Sequence, residues 1–251
     1  MGRRAVLEAL RAGKRQITRL YALAGGSGGP FPEITSLAKS RGIDVKFVSR
    51  PELDELSRGG RHQGVVLIAS TGAEASIETL LENAVSCGEP AFFAALDELK
   101  DPHNVGAIIR TAEGAGLHGI VTTINRSAAR GPGMERSSAG AVEYFPVARV
   151  VNLRDALMRL KDAGCWVIGA DASGEKELTE ADLTRPLVLV LGEEGRGLRD
   201  LTLKTCDETV RIPLAGKIQS LNVSVSAGIL FFEVVRQRSI GAPRERGRKF
   251  G

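Results

Sequence analysis

Cysteine is scarce in this chain of 251 residues, and the three that occur lie far apart. Cys87, Cys165 and Cys206 are odd in number and share no short spacing, so they predict neither a disulfide framework nor a zinc site. A reducing compartment is the default for such a sequence. We therefore expect a cytoplasmic protein without a bound metal.

Long apolar runs are also missing. No stretch approaches the roughly 20 apolar residues that a membrane-spanning helix needs. The opening residues Met-Gly-Arg-Arg-Ala lead into a charge-interrupted amphipathic segment rather than a signal sequence. We expect no secretion and no membrane association. With 43% hydrophobic and 4% aromatic residues, the composition is that of a soluble globular protein of one large or two modest domains.

Basic residues are concentrated at the two ends of the chain, although the net charge is only +4. Residues 3–19 contain six Arg or Lys against Glu8 alone, and the segment after Val235 contains six against Glu245 alone. Clustered basic side chains attract phosphates because binding releases counterions, so nucleic acid is the first partner to consider. A solvated face and a disordered basic tail over 241–251 are the alternative.

Helix-like and strand-like segments alternate along the chain and predict an α/β fold. Residues 1–71 form one compact α/β unit, a change of composition over 72–90 indicates a linker, and a second α/β series fills 91–240. Nearly all-apolar strands such as Leu187–Leu191 favour a mostly parallel sheet covered on both faces. Further strands are expected at 45–48, 65–69, 92–96, 119–123, 166–170 and Tyr144–Val147.

Two glycine-rich loops lie in the first unit. Residues 25–30, Gly-Gly-Ser-Gly-Gly-Pro, lack the signature of a phosphate-binding loop, and we interpret them as a connector, with contact to a phosphate as the alternative. Residues 58–64, Arg-Gly-Gly-Arg-His-Gln-Gly, differ because two arginines and a histidine in a glycine-rich loop can approach a nucleic-acid backbone closely. An ordinary exposed loop is the alternative interpretation.

A first chemically informative stretch covers residues 97–116. Asp101 can cap a helix whose first position is Pro102, which places Asn104 in the first turn. Arg110 projects from the side opposite the apolar stripe formed by Val105, Ile108, Ile109 and Ala112. The glycines at positions 106 and 114 flank Arg110 and cost the helix roughly 1 kcal/mol each. A ligand or a close-packed backbone must offset that cost.

A second stretch, residues 187–198, runs from a buried strand directly into Gly192, Gly195 and Gly197. Such a loop places backbone groups at the carboxyl edge of a parallel sheet, where ligands of α/β proteins bind. The spacing matches neither a dinucleotide fingerprint nor a P-loop. Glu193 and Glu194 predict polar contacts to a ligand, with solvated loop acids as the alternative.

A third stretch covers residues 212–233. Leu221, Val223 and Val225 alternate as in a strand, but Val223, Ala227, Leu230 and Val234 have helical spacing, and we favour the helix. Ser220 is the expected N-cap and Asn222 follows in the first turn, so both lie at the positive end of the helix dipole. The simpler interpretation is that Ser220 only caps the helix.

In combination, the three stretches resemble the signature motifs of the SpoU (TrmH) family of RNA ribose 2′-O-methyltransferases, in the SPOUT class. The resemblance rests on Asp-Pro-His-Asn-Val-Gly, Leu-Gly-Glu-Glu-Gly-Arg-Gly and Ser-Leu-Asn-Val-Ser-Val, and runs from about Phe92 to Arg238. The opening Gly-Arg-Arg-Ala-Val-Leu-Glu-Ala-Leu and the later His-Gln-Gly-Val resemble the L30e/L7Ae-like substrate domain of members that methylate a guanosine of 23S rRNA.

The resemblance implies S-adenosylmethionine as cofactor, bound in a deep trefoil knot. It assigns the cofactor wall to Gly192, Ile212 and Leu221. It assigns the catalytic set to Asn104, Arg110, Glu194, Ser220 and Asn222. An arginine is often described as the base in this family, but a guanidinium hardly deprotonates, so we favour an electrostatic role for Arg110.

The resemblance also implies a homodimer whose active sites draw residues from both subunits, with the C-terminal helix in the interface. Two alternatives remain for the function. One keeps the chemistry and moves it to a tRNA ribose or to a resistance-type rRNA site. The other is a non-catalytic RNA-binding or ribosome-assembly protein on the same fold.

Overall fold

The computed structural model describes residues 2–70, 74–125, 127–128 and 131–241. These residues form two compact units. The first contains Met1–Glu74, Asp101–Arg110 and Ala128–Pro146, and the second contains the remaining segments, Ala75–Lys100, Thr111–Ser127 and Val147–Gly251. Of the predicted basic tail, 241–251, only Gly241 is within the described residues, and 242–251 lie outside them.

The N-terminal part of the first unit is a three-stranded sheet with helices. Its elements are α1 Arg3–Ala12, β1 Ile17–Leu23, α2 Phe31–Ser40, β2 Val45–Val48, α3 Arg50–Leu56 and β3 Val65–Ala69. The strand order is β2-β1-β3, with β2 parallel and β3 antiparallel to β1. Helix α3 begins at a capping box, in which the Ser49 amide and hydroxyl donate to the Glu52 carboxylate.

The second sheet has seven strands, and every pairing in it is parallel. Its strands are β4 Phe92–Leu96, β5 Gly119–Thr123, β6 Val147–Val150, β7 Trp166–Ala170, β8 Lys176–Glu177, β9 Leu187–Leu191 and β10 Glu208–Arg211, in the order β6-β5-β4-β9-β7-β10-β8. The central strands β4, β5 and β9 are buried along their whole length. Burial on both faces explains the unbroken apolar sequences of β4 and β9, whereas β5 ends in the buried Thr122 and Thr123. The α/β prediction with a mostly parallel sheet is confirmed.

The remaining helices connect these strands. They are α4 Ile77–Cys87, α5 Pro102–Gly114, α6 Pro132–Ser137, α7 Leu153–Asp162, α8 Asp200–Leu203 and α9 Val223–Gly241. The division between the two units falls inside α5, after Arg110. No helix of the described residues is both long enough and apolar enough to span a bilayer.

One predicted strand is wrong. A strand was expected at Tyr144–Val147. In the structure, a 3₁₀ turn covers Ala141–Glu143, and strand β6 begins only at Val147. Pro146 has no amide hydrogen, so the chain before it cannot continue a ladder. The Tyr144 hydroxyl instead donates to the Glu8 carboxylate at 2.7 Å.

Arg238 anchors the end of α9 to the amino edge of the large sheet. Its guanidinium donates to the carbonyl oxygens of Pro90 at 2.7 Å, Ala91 at 3.1 Å and Arg185 at 2.8 Å, and lies 5.1 Å from the centre of the Phe92 ring. Burial lowers the pKa of this arginine. The side chain is therefore held by carbonyl dipoles and an aromatic face.

We expect Arg238→Met to lower the free energy of unfolding by about 1.5–3 kcal/mol, because it removes the charged hydrogen-bond donor that ties α9 to these carbonyl groups. Urea unfolding measures the change. Arg236→Met is the matched control, since Arg236 is exposed and pairs only with Glu233 on the helix surface. Equal effects of the two substitutions would contradict this account.

His118 is buried beside the start of β4, where its Nδ1 accepts the Phe92 amide hydrogen at 3.0 Å. Burial lowers the pKa of His118, with Glu89 opposing and Arg238 adding to the shift. The folded protein therefore binds this proton more weakly than the unfolded chain does. The contribution of His118 to stability is full above the unfolded pKa of about 6.5 and is lost as the pH falls below it.

Replacing His118 by asparagine, which keeps an acceptor, is expected to flatten the loss of stability between about pH 6.5 and pH 5. The slopes of the free energy of unfolding against pH can differ between the two proteins by at most about 1.4 kcal/mol per pH unit. Urea unfolding across this range tests the prediction, with the exposed His103→Asn as control. Identical slopes for wild type and His118→Asn would refute it.

Candidate active site

Helix α9 begins at Val223, and its cap is Asn222 rather than the predicted Ser220. The Asn222 carboxamide oxygen accepts the Ser224 amide hydrogen at 3.0 Å and the Ser224 hydroxyl at 2.6 Å. Ser220 lies exposed before the helix. Asparagine and serine cap helices about equally well, so sequence alone did not distinguish the two positions. The predicted buried stripe, Val223, Ala227, Leu230 and Val234, is confirmed.

The loop after β9 folds back on itself. A side chain at Gly192 would overlap the Gly197 carbonyl group and the Leu198 amide, so the two backbone segments are in direct contact. Gly195 and Gly197 have φ values of 83° and 73°, which glycine adopts without strain. The Gly197 amide donates to the Glu193 carbonyl at 2.8 Å. The glycines therefore build a compact loop at the carboxyl edge of the sheet.

A cavity of about 280 Å³ lies in the second unit, lined by this loop, by residues 170–172 after β7 and by parts of 210–230. Gly192, Glu194, Ile212, Ser220 and Leu221 line its wall. Asn222 donates from its amide nitrogen to the Glu194 carboxylate at 3.1 Å. The structure thus brings together all the predicted site residues that belong to the second unit. Their roles stay predictions.

Asn104 and Arg110 belong to the first unit. Asp101 caps α5, because its carboxylate accepts the His103 amide hydrogen at 2.9 Å, and Asn104 is half-buried in the first turn while Arg110 is exposed. Gly106 packs directly against α6, where a side chain would overlap Ser137 and Met134. Of the two explanations for the glycine at position 106, close packing of backbones is the one that the structure supports.

A charged cluster that was not predicted links the first two motifs within the second unit. The Asp97 carboxylate accepts the Arg199 Nε hydrogen at 2.7 Å and the Arg199 amide hydrogen at 3.1 Å, and Glu98 accepts from the same guanidinium at 2.7 Å. The Asp97 amide donates to the Leu191 carbonyl at 2.8 Å. The end of β4 is therefore tied to both ends of the glycine loop. The hydrogen bond to Asp97 raises the pKa of Arg199, which stays charged.

Asp171, directly after β7, is a second residue that was not predicted. Its carboxylate accepts the Ser173 amide at 2.9 Å and the Ser173 hydroxyl at 2.6 Å. Burial raises the pKa of Asp171, but hydrogen bonds from Ser173 and from the Leu198 amide outweigh it, so the net shift is downward. The carboxylate stays ionised in the cavity wall. Its position at the end of a parallel strand was the available signal.

Two thiols of the second unit, Cys165 and Cys206, are not poised as nucleophiles. Burial raises the pKa of Cys165 to about 11 and that of Cys206 to about 12, and a protonated thiol is a poor nucleophile and metal ligand. Within the described residues, no group of three or more His, Cys, Asp or Glu side chains could hold a metal ion. The site offers carboxylates, amides, hydroxyls and backbone groups.

The fold and this cavity define an α/β protein with a parallel sheet and a glycine-lined ligand site at the carboxyl edge. A family model described as the SpoU rRNA Methylase family matches residues 91–232. A second, described as RNA 2′-O ribose methyltransferase substrate binding, matches residues 1–73. The chain belongs to the SpoU rRNA methylase family and is an RNA methyltransferase, as the sequence motifs indicate.

The similarity to known proteins extends along nearly the whole chain. YacO of Bacillus subtilis (strain 168), named as a TrmH family tRNA/rRNA methyltransferase, is 40% identical over 239 residues, 95% of each chain. The SpoU methyltransferase AviRb of Streptomyces viridochromogenes, solved with AdoMet, has 26% identity and a TM-score of 0.77 over 95% of this chain and 89% of its own. The AdoMet-bound rRNA methyltransferase of Sinorhizobium meliloti has 28% identity and a TM-score of 0.75 over 92% of this chain and 84% of its own.

Proposed function

We propose that this protein is a cytoplasmic, S-adenosylmethionine-dependent methyltransferase that acts on a ribose 2′-hydroxyl, that of a guanosine in 23S rRNA. The observation that carries the proposal is the glycine-lined cavity of the second unit, whose wall contains Gly192, Ile212 and Leu221. The AdoMet-bound relatives share this fold along at least 92% of the chain. The substrate-binding domain over 1–73 supports RNA as the methyl acceptor.

The residues of the cavity suit a nucleoside with a charged amino-acid tail. The backbone contact between Gly192 and Gly197 leaves a cradle without side chains, in which backbone groups are the available hydrogen-bond partners. Ile212, Leu221 and Leu230 supply apolar wall for a base, and the ionised Asp171 supplies a carboxylate. Such a combination of apolar wall and few polar groups is typical of cofactor sites.

S-adenosylmethionine supplies an electrophilic methyl group, and the chain must help a weakly nucleophilic hydroxyl to attack it. In our proposal, Arg110 stabilises the negative charge that develops on the 2′-oxygen and holds the neighbouring phosphate, since a guanidinium keeps its proton. Asn104 and Asn222 orient the ribose. Glu194 and Ser220 position those groups, and the 3.1 Å bond from Asn222 to Glu194 supports this part of the assignment.

We propose further that the polypeptide after β10 forms a knot around the cofactor and that the protein is a homodimer. Helix α9 supports the dimer, because Val225, Ile229 and Phe232 are 51%, 39% and 53% exposed and lie on one stripe at helical spacing. An exposed apolar stripe of this kind favours an isologous helix contact between two protomers.

Phe232→Asp is expected to convert the dimer into monomers, because a charge in the centre of an apolar interface is costly to bury. Sedimentation velocity at micromolar concentration measures the change. Val85→Asp is the control, since Val85 is 82% exposed on α4. A wild-type protein that is monomeric and fully active would remove the dimer from the proposal.

A tRNA ribose is the second candidate substrate, because the relative YacO is named as a tRNA/rRNA methyltransferase. Methylation mapped at single-nucleotide resolution in total RNA from a strain that lacks this protein distinguishes the two. The proposal predicts the loss of one ribose methylation in 23S rRNA. Loss of a tRNA methylation, with the methylation of 23S rRNA unchanged, would make tRNA the substrate. No loss of methylation in either RNA would contradict the proposed function.

A further inference from the structure

Two glycine-rich loops of the first unit lie at the same edge of the three-stranded sheet. Strand β1 leads into residues 24–30, and residues 57–64 lead into β3, which runs antiparallel to β1. The Leu23 amide donates to the Gly64 carbonyl at 2.9 Å, so the two loops start from neighbouring positions. We call residues 24–30 and 57–64 together the two-loop surface.

Arg3 joins these loops by side-chain and backbone hydrogen bonds. Its Nε donates to the Gln63 carbonyl at 2.7 Å, and its Nη1 donates to the carbonyls of Ser27 at 3.1 Å and Gly28 at 2.6 Å. The Arg3 amide donates to the Gln63 side-chain oxygen at 2.9 Å, which satisfies a free amide at the start of α1. Its guanidinium lies 5.2 Å from the centre of the Phe31 ring. One arginine thus fixes the loops to each other and to α1.

His62 fixes the second loop from inside. The side chain is buried, its Nε2 lies 2.9 Å from the Asp54 carboxylate, and its Nδ1 accepts the Gly64 amide hydrogen at 3.0 Å. Arg58 and Gln63 both have a φ of 52°, a conformation that residues with a side chain rarely adopt. Backbone strain of this kind persists where the surroundings hold it, and it is concentrated at binding sites.

The surface that results is positively charged and has exposed backbone. Arg58 and Arg61 are exposed, as is Arg4 on the first turn of α1, and none of these arginines makes an ion pair within the part of the chain that the structure describes. Neither loop contains an acidic residue. Among the described residues, the amides of Ser27, Gly29 and Arg61 donate no hydrogen bond inside the protein. Free amides and unpaired guanidinium groups together suit a phosphate backbone.

We propose that the two-loop surface binds the phosphate backbone of the RNA substrate, with Arg58 and Arg61 as the principal contacts. This inference rests on the proposed function and names the surface through which the first unit holds RNA. In this proposal, residues 25–30 contact phosphate, which was the alternative to the connector interpretation, because Arg3 makes this loop part of the same surface as the arginines. Arg3 and His62 are positioning residues, since their polar atoms are used within the protein.

The test compares RNA binding by a double variant, Arg58→Asn with Arg61→Ser, and by a control, Lys39→Asn with Lys46→Ser. Asparagine tolerates the positive φ at position 58. The control removes the same charge from the same unit, from α2 and β2. Filter binding to an unmodified 23S rRNA transcript is measured at rising KCl concentration, and calorimetry with S-adenosylmethionine monitors the other site.

We expect the double variant to bind the transcript at least about tenfold more weakly at low salt, with cofactor binding unchanged. The plot of the logarithm of the binding constant against the logarithm of the KCl concentration has a negative slope. Its magnitude should decrease by about 1.5, since each of the two lost phosphate contacts contributes about 0.7–0.9. The control should keep the wild-type slope. Equal weakening in both variants, wild-type binding by the double variant, or no RNA binding by the wild type overturns the inference. Failure of all three proteins to bind cofactor or transfer methyl groups instead contradicts the proposed function, and leaves the comparison of RNA affinities intact.

Discussion

Arg110→Met is expected to lower the turnover number for methyl transfer by about 10²–10³-fold, the usual effect of removing one donor that stabilises developing charge. Arg110 is exposed on the face of α5 opposite the buried stripe. Its replacement therefore removes no core packing, and the effect should appear in turnover rather than in stability. Methionine keeps the length of the side chain and its helix propensity while removing the charge.

The expected signature separates catalysis from binding. Single-turnover transfer from labelled S-adenosylmethionine, at saturating RNA, reports the chemical step, and calorimetry reports cofactor affinity. Arg154→Met, on the exposed face of α7, is the control and should transfer at the wild-type rate. An Arg110→Met protein that binds RNA and transfers at a near-normal rate would remove Arg110 from the catalytic set.

Gly192→Ala is expected to weaken S-adenosylmethionine binding by about 10²-fold. The new methyl group would overlap the backbone of Gly197 and Leu198, and backbone cannot turn aside as a flexible side chain can. The loop must therefore move as a whole. A misplacement of about 1 Å can cost about 10²-fold in reaction rate, and we expect a loss of similar size in cofactor affinity. Calorimetric titration measures the loss.

Gly114→Ala is the matched control for this change, because a methyl group at Gly114 meets nothing within 4 Å. Alanine there should leave cofactor binding unchanged and stabilise α5 by up to about 1 kcal/mol. If Gly192→Ala binds the cofactor as the wild type does, the glycine loop is not the cradle that we describe. If it fails to fold, circular dichroism reveals this, and Gly197→Ala, whose methyl group would press on the Asp171 carboxylate and whose φ of 73° strains an alanine, repeats the test on the same loop.

Local physics predicted most of the fold. The strands at 45–48, 65–69, 92–96, 119–123, 166–170 and 187–191 have the expected bounds, because apolar runs bounded by turn residues leave few alternatives. The strand expected at Tyr144 failed where a proline and polar contacts to distant residues decided the conformation. Such contacts leave no periodic signal in the sequence.

The candidate site was predictable only in part, for a similar reason. The motifs predicted Gly192, Glu194 and Asn222, and the structure places them at one edge of the sheet. Asp97 and Arg199 lie 102 positions apart, and nothing local to either one indicates the other. Distinguishing Asn222 from Ser220 as the helix cap needed the backbone itself. Residues that hold a site together depend on contacts between distant parts of the chain, which local sequence does not indicate. The residues proposed for the chemistry lie in short motifs, which it does.

The central claim is transfer of a methyl group to a ribose oxygen, and nucleoside analysis tests it most directly. Purified protein is incubated with labelled S-adenosylmethionine and an unmodified 23S rRNA transcript, and the RNA is digested to nucleosides. The nucleosides are separated by liquid chromatography and fragmented between base and sugar in the mass spectrometer, which assigns the label to the ribose or to the base. The account predicts label in 2′-O-methylguanosine, and none when Arg110→Met replaces the wild type over the same time. Label in a base-methylated nucleoside, or no transfer by a wild type that binds both cofactor and RNA, would contradict it.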